Sequence, residues 1–232
     1  MRGSSVSILS RVSSLSAPAA LRHRAAEGHL SNGRYVTLRR VTVDTLQTQQ
    51  QLIVRQRVRL MVNQYEVHAV APDGSEAGIL AFAQQKRMAF KEQVTLYTDD
   101  KKTTPVLGFK ARQVMDLGAT YDVTDAAGTP IGLFRKNFKE SLLRSTWHLE
   151  QPGHGEMIGR ETNLTVAILR RFVDSLSWLP YHFDFLLGDR PAFSVVKKWG
   201  LRDRYVVTIH DPALDRRLVA AMAVALDALQ SR

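Results

Sequence analysis

The chain has 232 residues, 44% of them hydrophobic and 23% charged, enough apolar content to bury a core and too much for disorder throughout. The absence of cysteine excludes a disulfide framework, a thiolate metal centre and a cysteine nucleophile, and suits a reducing compartment. Thirty-two Lys and Arg against 22 Asp and Glu give a formal charge of +10, a field that favours anionic partners such as acidic lipid headgroups or nucleic acid.

Residues 1–48 are rich in Ser, Ala and Arg and hold no acid before Glu27. No uninterrupted apolar stretch gathers there, so a secretory signal is not expected. Val6, Leu9, Val12 and Leu15 near helical spacing would suit an organellar transit peptide; the plainer reading is a disordered tail or a start placed too far upstream. Seven arginines against Glu27 and Asp44 put +5 of the +10 in residues 1–50. The folded domain is expected at residues 49–232, mildly basic on its own.

Leu52 to Val62 alternates apolar residues with Arg55, Arg57 and Arg59, the period of a strand with one face on a core and an arginine-rich face in water. That face would also protect an exposed edge. A weak internal repeat follows. An aromatic-acid-apolar triplet returns at Tyr65-Glu66-Val67, Tyr121-Asp122-Val123 and Phe183-Asp184-Phe185, at spacings of 121−65=56 and 183−121=62 residues. Each triplet opens a strand-like run, then a turn, then a run ending in a basic pair, then a third run.

In the first unit the turn is Pro72-Asp73-Gly74, where Pro presets φ and Gly accepts the positive φ that follows. Runs at Gly78–Phe82, Val94–Tyr97 and Val106–Lys110 complete four strands. The second unit turns at Gly128-Thr129-Pro130, continues through Ile131–Phe134, and adds Ser145–Leu149 and Met157–Arg160 around Pro152-Gly153. The third has Phe183–Leu187, Phe193–Val196 and Tyr205–Ile209 and lacks a fourth strand. One leading strand plus four, four and three gives twelve, with the leading strand expected in the place that the third unit leaves vacant. Strands at this density point to a sandwich or closed barrel.

Leu164, Ile168, Leu169, Phe172, Val173 and Leu176 recur at helical spacing behind Thr162 and Asn163, and predict a helical segment between the second and third units. The sequon Asn163-Leu164-Thr165 has no export signal to give it meaning. The last helix is the clearest. Asp211-Pro212 offers a cap and a first-turn proline, and Leu214 to Leu229 contains no Gly, Pro or aromatic. Val219 to Leu226 is apolar on every face, so the helix should be buried all round. It is short of the roughly twenty apolar residues of a membrane span, and its alanines make it slim enough to thread a barrel. The fold class expected is mainly β, α+β by count: an antiparallel β-barrel of about twelve strands enclosing a hydrophobic C-terminal helix.

Such a framework, with Tyr121-Asp122-Val123-Thr124-Asp125, Gly128 and Ile131-Gly132 in its second unit, resembles the tubby C-terminal-like superfamily and within it the phospholipid scramblase and LURP-one-related branch. The resemblance covers about Leu52 to Ser231 and implies a barrel around a central helix. Its members are proposed to bind phosphoinositides, to move phospholipids between leaflets, or to act in stress signalling. Animal scramblases carry a proline-rich N-terminus, a palmitoylated cysteine cluster and an acidic calcium segment before the last helix. This chain has no cysteine and only Asp211 between Tyr205 and Pro212, so lipid anchoring and calcium triggering are not carried over.

The chemistry on offer is charge rather than catalysis. Lys86-Arg87, Arg135-Lys136 and Lys197-Lys198 fall at corresponding run ends, so a barrel could bring some of them toward one rim to meet anionic headgroups; charged strand ends in solvent are the simpler account. The seven histidines show no metal spacing, and no nucleophile elbow or phosphate loop is present, so neither enzyme, metal nor cofactor is expected. Glu66, Asp122 and Asp184 repeat at equivalent positions, which suggests a structural role. Trp147, Trp178 and Trp199 with Tyr181 and Phe183 would suit a membrane-interface belt or a barrel core. No nucleic-acid motif is present. The functional expectation is a cytoplasmic, peripheral barrel that binds anionic phospholipid; the alternatives are scramblase-like lipid translocation and an interaction scaffold without a lipid role.

Overall fold

The computed structural model describes residues 43–58, 62–86, 93–112, 120–137, 145–162, 181–198 and 204–230, with Val58, Gln85, Lys86 and Gln230 as backbone only. All of these belong to the unit that begins at Leu38. The predicted helix around residues 164–176, the sequon, Trp178, Trp199 and most of the N-terminal stretch lie outside the described residues.

Twelve strands form one closed antiparallel barrel: β1 (Gln51–Val58), β2 (Val62–Val70), β3 (Glu76–Lys86), β4 (Gln93–Tyr97), β5 (Pro105–Ala111), β6 (Thr120–Asp125), β7 (Pro130–Lys136), β8 (Thr146–Gln151), β9 (Gly155–Glu161), β10 (His182–Leu187), β11 (Arg190–Lys198) and β12 (Arg204–Ile209). Each strand pairs with its neighbours in sequence, and β1 closes the ring between β12 and β2. Leu52 stands opposite Val207 on one side and Ala69 on the other. β1 is therefore no edge. Its arginines are drawn into cross-strand ion pairs instead, Arg55 with Glu76 at 2.9 Å and Arg57 with Glu66 at 3.1 Å.

Period two builds the wall. β12 alternates half-buried and buried residues and β4 does the same after the exposed Gln93, with the apolar set on the inside. Turns occur where glycine permits them: Gly74 at φ 79° and Gly128 at φ 86° close the β2–β3 and β6–β7 hairpins, with N–H bonds of 2.8 and 3.0 Å to Ala71 O and Asp125 O. Phe109, Tyr121, Phe134 and Trp147 form a chain of ring contacts, with centroids 5.2–6.2 Å apart, along the inner wall of β5 to β8. Trp147, Tyr181 and Phe183 are all buried, the core placement of the two offered by the sequence.

The helix α1 (Arg216–Gln230) runs through the barrel, and every residue from Leu218 to Leu226 is fully buried. Its alanines let it approach the wall. At Gly132 on β7 an added Cβ would stand 2.6 Å from Leu218 Cδ2, so only glycine leaves room there. Burying Leu218, Val219, Met222, Val224 and Leu226 at about 1.5–3 kcal/mol each gives on the order of 10 kcal/mol, an upper figure because the unfolded chain already hides part of that area. The cap differs from the sequence reading. Asp215, not Asp211, caps the helix, its Oδ1 accepting the Arg217 N–H at 2.9 Å. Asp211 closes a separate turn, accepting the Ala213 N–H at 2.9 Å, and this turn carries the chain from the wall to the axis.

Candidate functional site

Because neighbouring strands alternate in direction, the C-terminal ends of the odd strands and the N-terminal ends of the even ones share one rim. Lys86, Arg135-Lys136 and Lys197-Lys198 fall on it, at the ends of β3, β7 and β11. Counting three residues inward from this rim, the strands carry nine bases (Arg57, Lys86, Lys110, Arg135, Lys136, Arg160, Lys197, Lys198, Arg204) against three acids (Asp122, Glu161, Asp184). At the opposite rim, where α1 enters, the same depth holds Arg190 alone against Glu76, Asp125, Glu150 and Glu156. The turns there add Asp73, Asp99, Asp100, Asp189, Asp211 and Asp215 against Lys101 and Lys102. The described strand ends are polarised along the axis, with two ion pairs spanning the two sets, Arg135 with Glu156 at 3.0 Å and Arg204 with Glu76 at 3.5 Å. α1 fits that field, with its N-terminus at the acidic rim and its C-terminus at the basic one.

The six predicted site residues do not act alike. Arg87 lies outside the described residues, and Lys86 ends β3. Within the other pairs strand alternation sends one side chain out and one in. Arg135 faces out and pairs with Glu156 at 3.0 Å. Lys136 opposes Trp147 in register and stands 5.7 Å from its ring centre. Lys197 is only 9% exposed, its Nζ 5.8 Å from the ring centres of both Tyr181 and Tyr205, a cation–π arrangement inside the wall. Lys198 is exposed. Two cations that the sequence reading passed over share its situation: Lys110 at the end of β5 and Arg160 at the end of β9 are exposed and, like Lys198, make no side-chain hydrogen bond or ion pair among the described residues. Neither belongs to a basic doublet; their signal in the sequence is a single base repeated in the last residues of each odd strand.

Lys110 also lines a cleft of about 390 Å³ on the outer wall of β4, β5 and β6, with Gln93, Gly108, Arg112, Asp122 and Thr124. Gly108 opens its floor; a Cβ there would lie 3.4 Å from Val94 O. Arg112 donates from Nε and Nη2 to the two Asp122 oxygens at 2.8 and 2.7 Å, and the hydrogen bond and charge of Asp122 raise the Arg112 pKa further above its usual value. Lys110 is the cross-strand partner of Asp122. The repeat acids thus each serve a neighbouring side chain: Glu66 pairs with Arg57, Asp122 with Arg112, and Asp184 accepts from Thr162 Oγ1 at 2.8 Å and pairs with His182 at 2.9 Å.

Inside the barrel near the basic rim, Asp227 of α1 accepts hydrogen bonds from the hydroxyls of Tyr65, at 2.9 Å, and Tyr205. These come from β2 and β12, the two strands that flank β1. A model of the LURP-one-related family matches residues 79–227, from β3 to this aspartate in α1 and more than half of the chain. The chain belongs to that family. The LURP-one-related family is part of the tubby-like superfamily, and the closed barrel fits a tubby-like barrel protein. No curated protein matches the chain.

The acidic rim of this LURP-one-related barrel is closed by its own side chains. Leu46, in a helical turn at residues 43–47, is fully buried, and packing therefore begins upstream of residue 49. Gln47 donates to Asp215 Oδ1 at 2.6 Å and accepts the Arg216 N–H at 3.1 Å. Arg216, 7% exposed, donates to the carbonyls of Gln49, Pro212 and Leu214 at 3.2, 2.6 and 2.5 Å. His154 meets Asp211 at 2.9 Å. Burial would raise the Asp215 pKa, but hydrogen bonds from Arg217 and Gln47 outweigh it and hold the carboxyl below its usual range.

Proposed function

We propose that the protein is a non-enzymatic tubby-like barrel that binds anionic phospholipid at a membrane surface through the cations of its basic rim, with the cleft beside Lys110 receiving a headgroup phosphate. The observation that carries this reading is the exposure of Lys110, Arg160 and Lys198 at one rim, none of them in a hydrogen bond or ion pair among the described residues, although Lys110 and Arg160 face Asp122 and Asp184 across the strands. If strand-end charges served only to keep strand ends in water, their sign would not differ between the rims, yet one rim has nine bases against three acids and the other one base against four acids. At about 1 kcal/mol per base near an anionic surface, three such residues amount to roughly a hundredfold in affinity. The cytoplasmic leaflet, rich in anionic lipid, is the surface that fits.

Translocation by insertion of α1 is disfavoured by dimensions: 15 residues reach about 22 Å, against a hydrocarbon core of about 30 Å. Among the described residues no helix is long and apolar enough to cross a membrane. The test is co-sedimentation of the full chain with neutral vesicles and with vesicles containing a third phosphatidylserine, at low and at high salt. Binding confined to the anionic vesicles and lost in salt is expected, weakened in Lys110→Glu and Lys198→Glu. No binding to either, or equal salt-resistant binding to both, would sink the proposal.

A further inference from the structure

We infer that the barrel docks end-on, with its basic rim on the anionic surface and its axis steep to it, so that the position of a charge along the axis, and not the net charge, governs binding. This rests on the lipid-binding reading above and adds orientation to it. A strand of seven residues, such as β5 or β7, extends about 20 Å. With barrel strands tilted by about 40°, that leaves the rims roughly 15 Å apart. The Debye length at physiological salt is about 8 Å, so the surface potential falls to about a seventh of its value over that height.

Side-on docking would hold the far-rim acids of whichever face lies down, Asp100 for the β4–β5 face or Asp189 for the β10–β11 face, within a Debye length of a surface that repels them. End-on docking removes them from it. The cleft agrees with this orientation, because Gln93, Lys110 and Arg112 all lie at the basic-rim ends of β4 and β5.

Two double variants with opposite changes in net charge separate the possibilities. Lys110→Gln with Lys198→Gln removes two charges at the basic rim. Asp100→Asn with Asp189→Asn adds two at the acidic rim, both residues being exposed. With phosphatidylserine-containing vesicles at physiological salt, the first pair is expected to weaken binding about thirtyfold, at roughly fivefold per base, and the second to change it less than twofold.

The absence of native cysteine allows a single reporter at either end: a dye on Gln84→Cys near the basic rim is expected to be quenched by headgroup-labelled lipid, and one on Ala127→Cys in the β6–β7 turn is not. Strengthening by the acidic-rim pair as large as the loss from the basic-rim pair, or equal quenching at both positions, would overturn the orientation and leave lipid binding intact. No vesicle binding by the unaltered protein would overturn both.

Discussion

The two ends of this barrel terminate the same twelve strands and treat polar groups in opposite ways. At the end where α1 enters, Gln47, Gln151, Asp215, Arg216 and Arg217 satisfy one another and the first backbone groups of the helix, and Leu46 seals the core beneath them. At the other end Lys110, Arg160 and Lys198 stand exposed, with no partner among the described residues. Fold stability explains the first arrangement, since orphan N–H groups and a buried guanidinium are costly without acceptors. It does not explain the second. Lys198 stands opposite Arg204, a like charge that packing does not require, and Lys110 and Arg160 remain exposed although Asp122 and Asp184 face them across the strands.

The comparison predicts that substitutions at the two ends separate stability from binding. Leu46→Ala and Arg216→Ala should have the largest effects. The first opens a cavity under the helix entrance and the second leaves three carbonyls without their donor, each costing about 2–5 kcal/mol, while vesicle binding per folded molecule stays unchanged. Urea midpoints paired with co-sedimentation check this; a fall in binding with little loss of stability would erase the distinction between the ends. Asp227→Ala, inside the basic end, should cost about 1–3 kcal/mol, because Tyr65 and Tyr205 lose the carboxylate that joins the two flanks of β1 to the helix. Tyr65→Phe combined with Tyr205→Phe should then add little to Asp227→Ala, and full additivity would show that the three do not form one unit.

Acid should loosen the closed end first. Asp211 is held low by the Ala213 N–H and by His154, and Asp215 by Arg217 and Gln47 against its burial. With folded pKa values below the unfolded value, these carboxylates stabilise fully above about pH 4, and their contribution is lost as pH falls through the folded values. Melting temperatures are expected to be level from pH 5 to 7 and to drop below about pH 4. Asp215→Asn should be less stable than the unaltered protein at neutral pH and converge with it in acid. A constant gap at every pH would remove the linkage.

What could be read from sequence was the part set by period and by composition. Alternation exposed the strands, the recurring triplet ordered them, and the missing fourth strand of the third unit identified β1 as the closing strand. A helix apolar on every face had nowhere to lie but inside. Features set by three-dimensional neighbours were harder to see. Asp211-Pro212 has the pattern of a cap, yet Asp215, three residues past that proline, receives the helix N–H, because the chain first turns from wall to axis. Leu46 lies in an Arg- and Ser-rich stretch where one leucine carries no periodic signal. Counting by two from Phe134 and Val195 would have sent Lys136 and Lys197 inward; treating basic doublets as single patches hid that and left Lys110 and Arg160 unnoticed.

The smallest predicted effect probes the charge balance of the basic rim itself. Glu66 and Asp122 occupy the same repeat position and pair with an arginine, Arg57 of the preceding strand and Arg112 just past the end of β5, but Glu66 is 5% exposed, whereas the Asp122 and Arg112 side chains are 43% and 54% exposed. An exposed pair contributes at most about 1 kcal/mol to stability, so Asp122→Asn should leave the melting temperature nearly unchanged, whereas Glu66→Gln, beside Arg57 and His68 in a dry site, should lower it. For binding the order reverses. A carboxylate about 6 Å from an anionic headgroup in water repels it by roughly 0.7 kcal/mol per unit of ligand charge, so Asp122→Asn should raise affinity for anionic vesicles about threefold, and more for headgroups of higher charge. Orientation of Arg112 by its bidentate bond works the other way; being exposed, it is the weaker contribution. A loss of affinity in Asp122→Asn would therefore mean that Arg112 must be held in place to bind, and that the rim recognises headgroup geometry rather than charge alone.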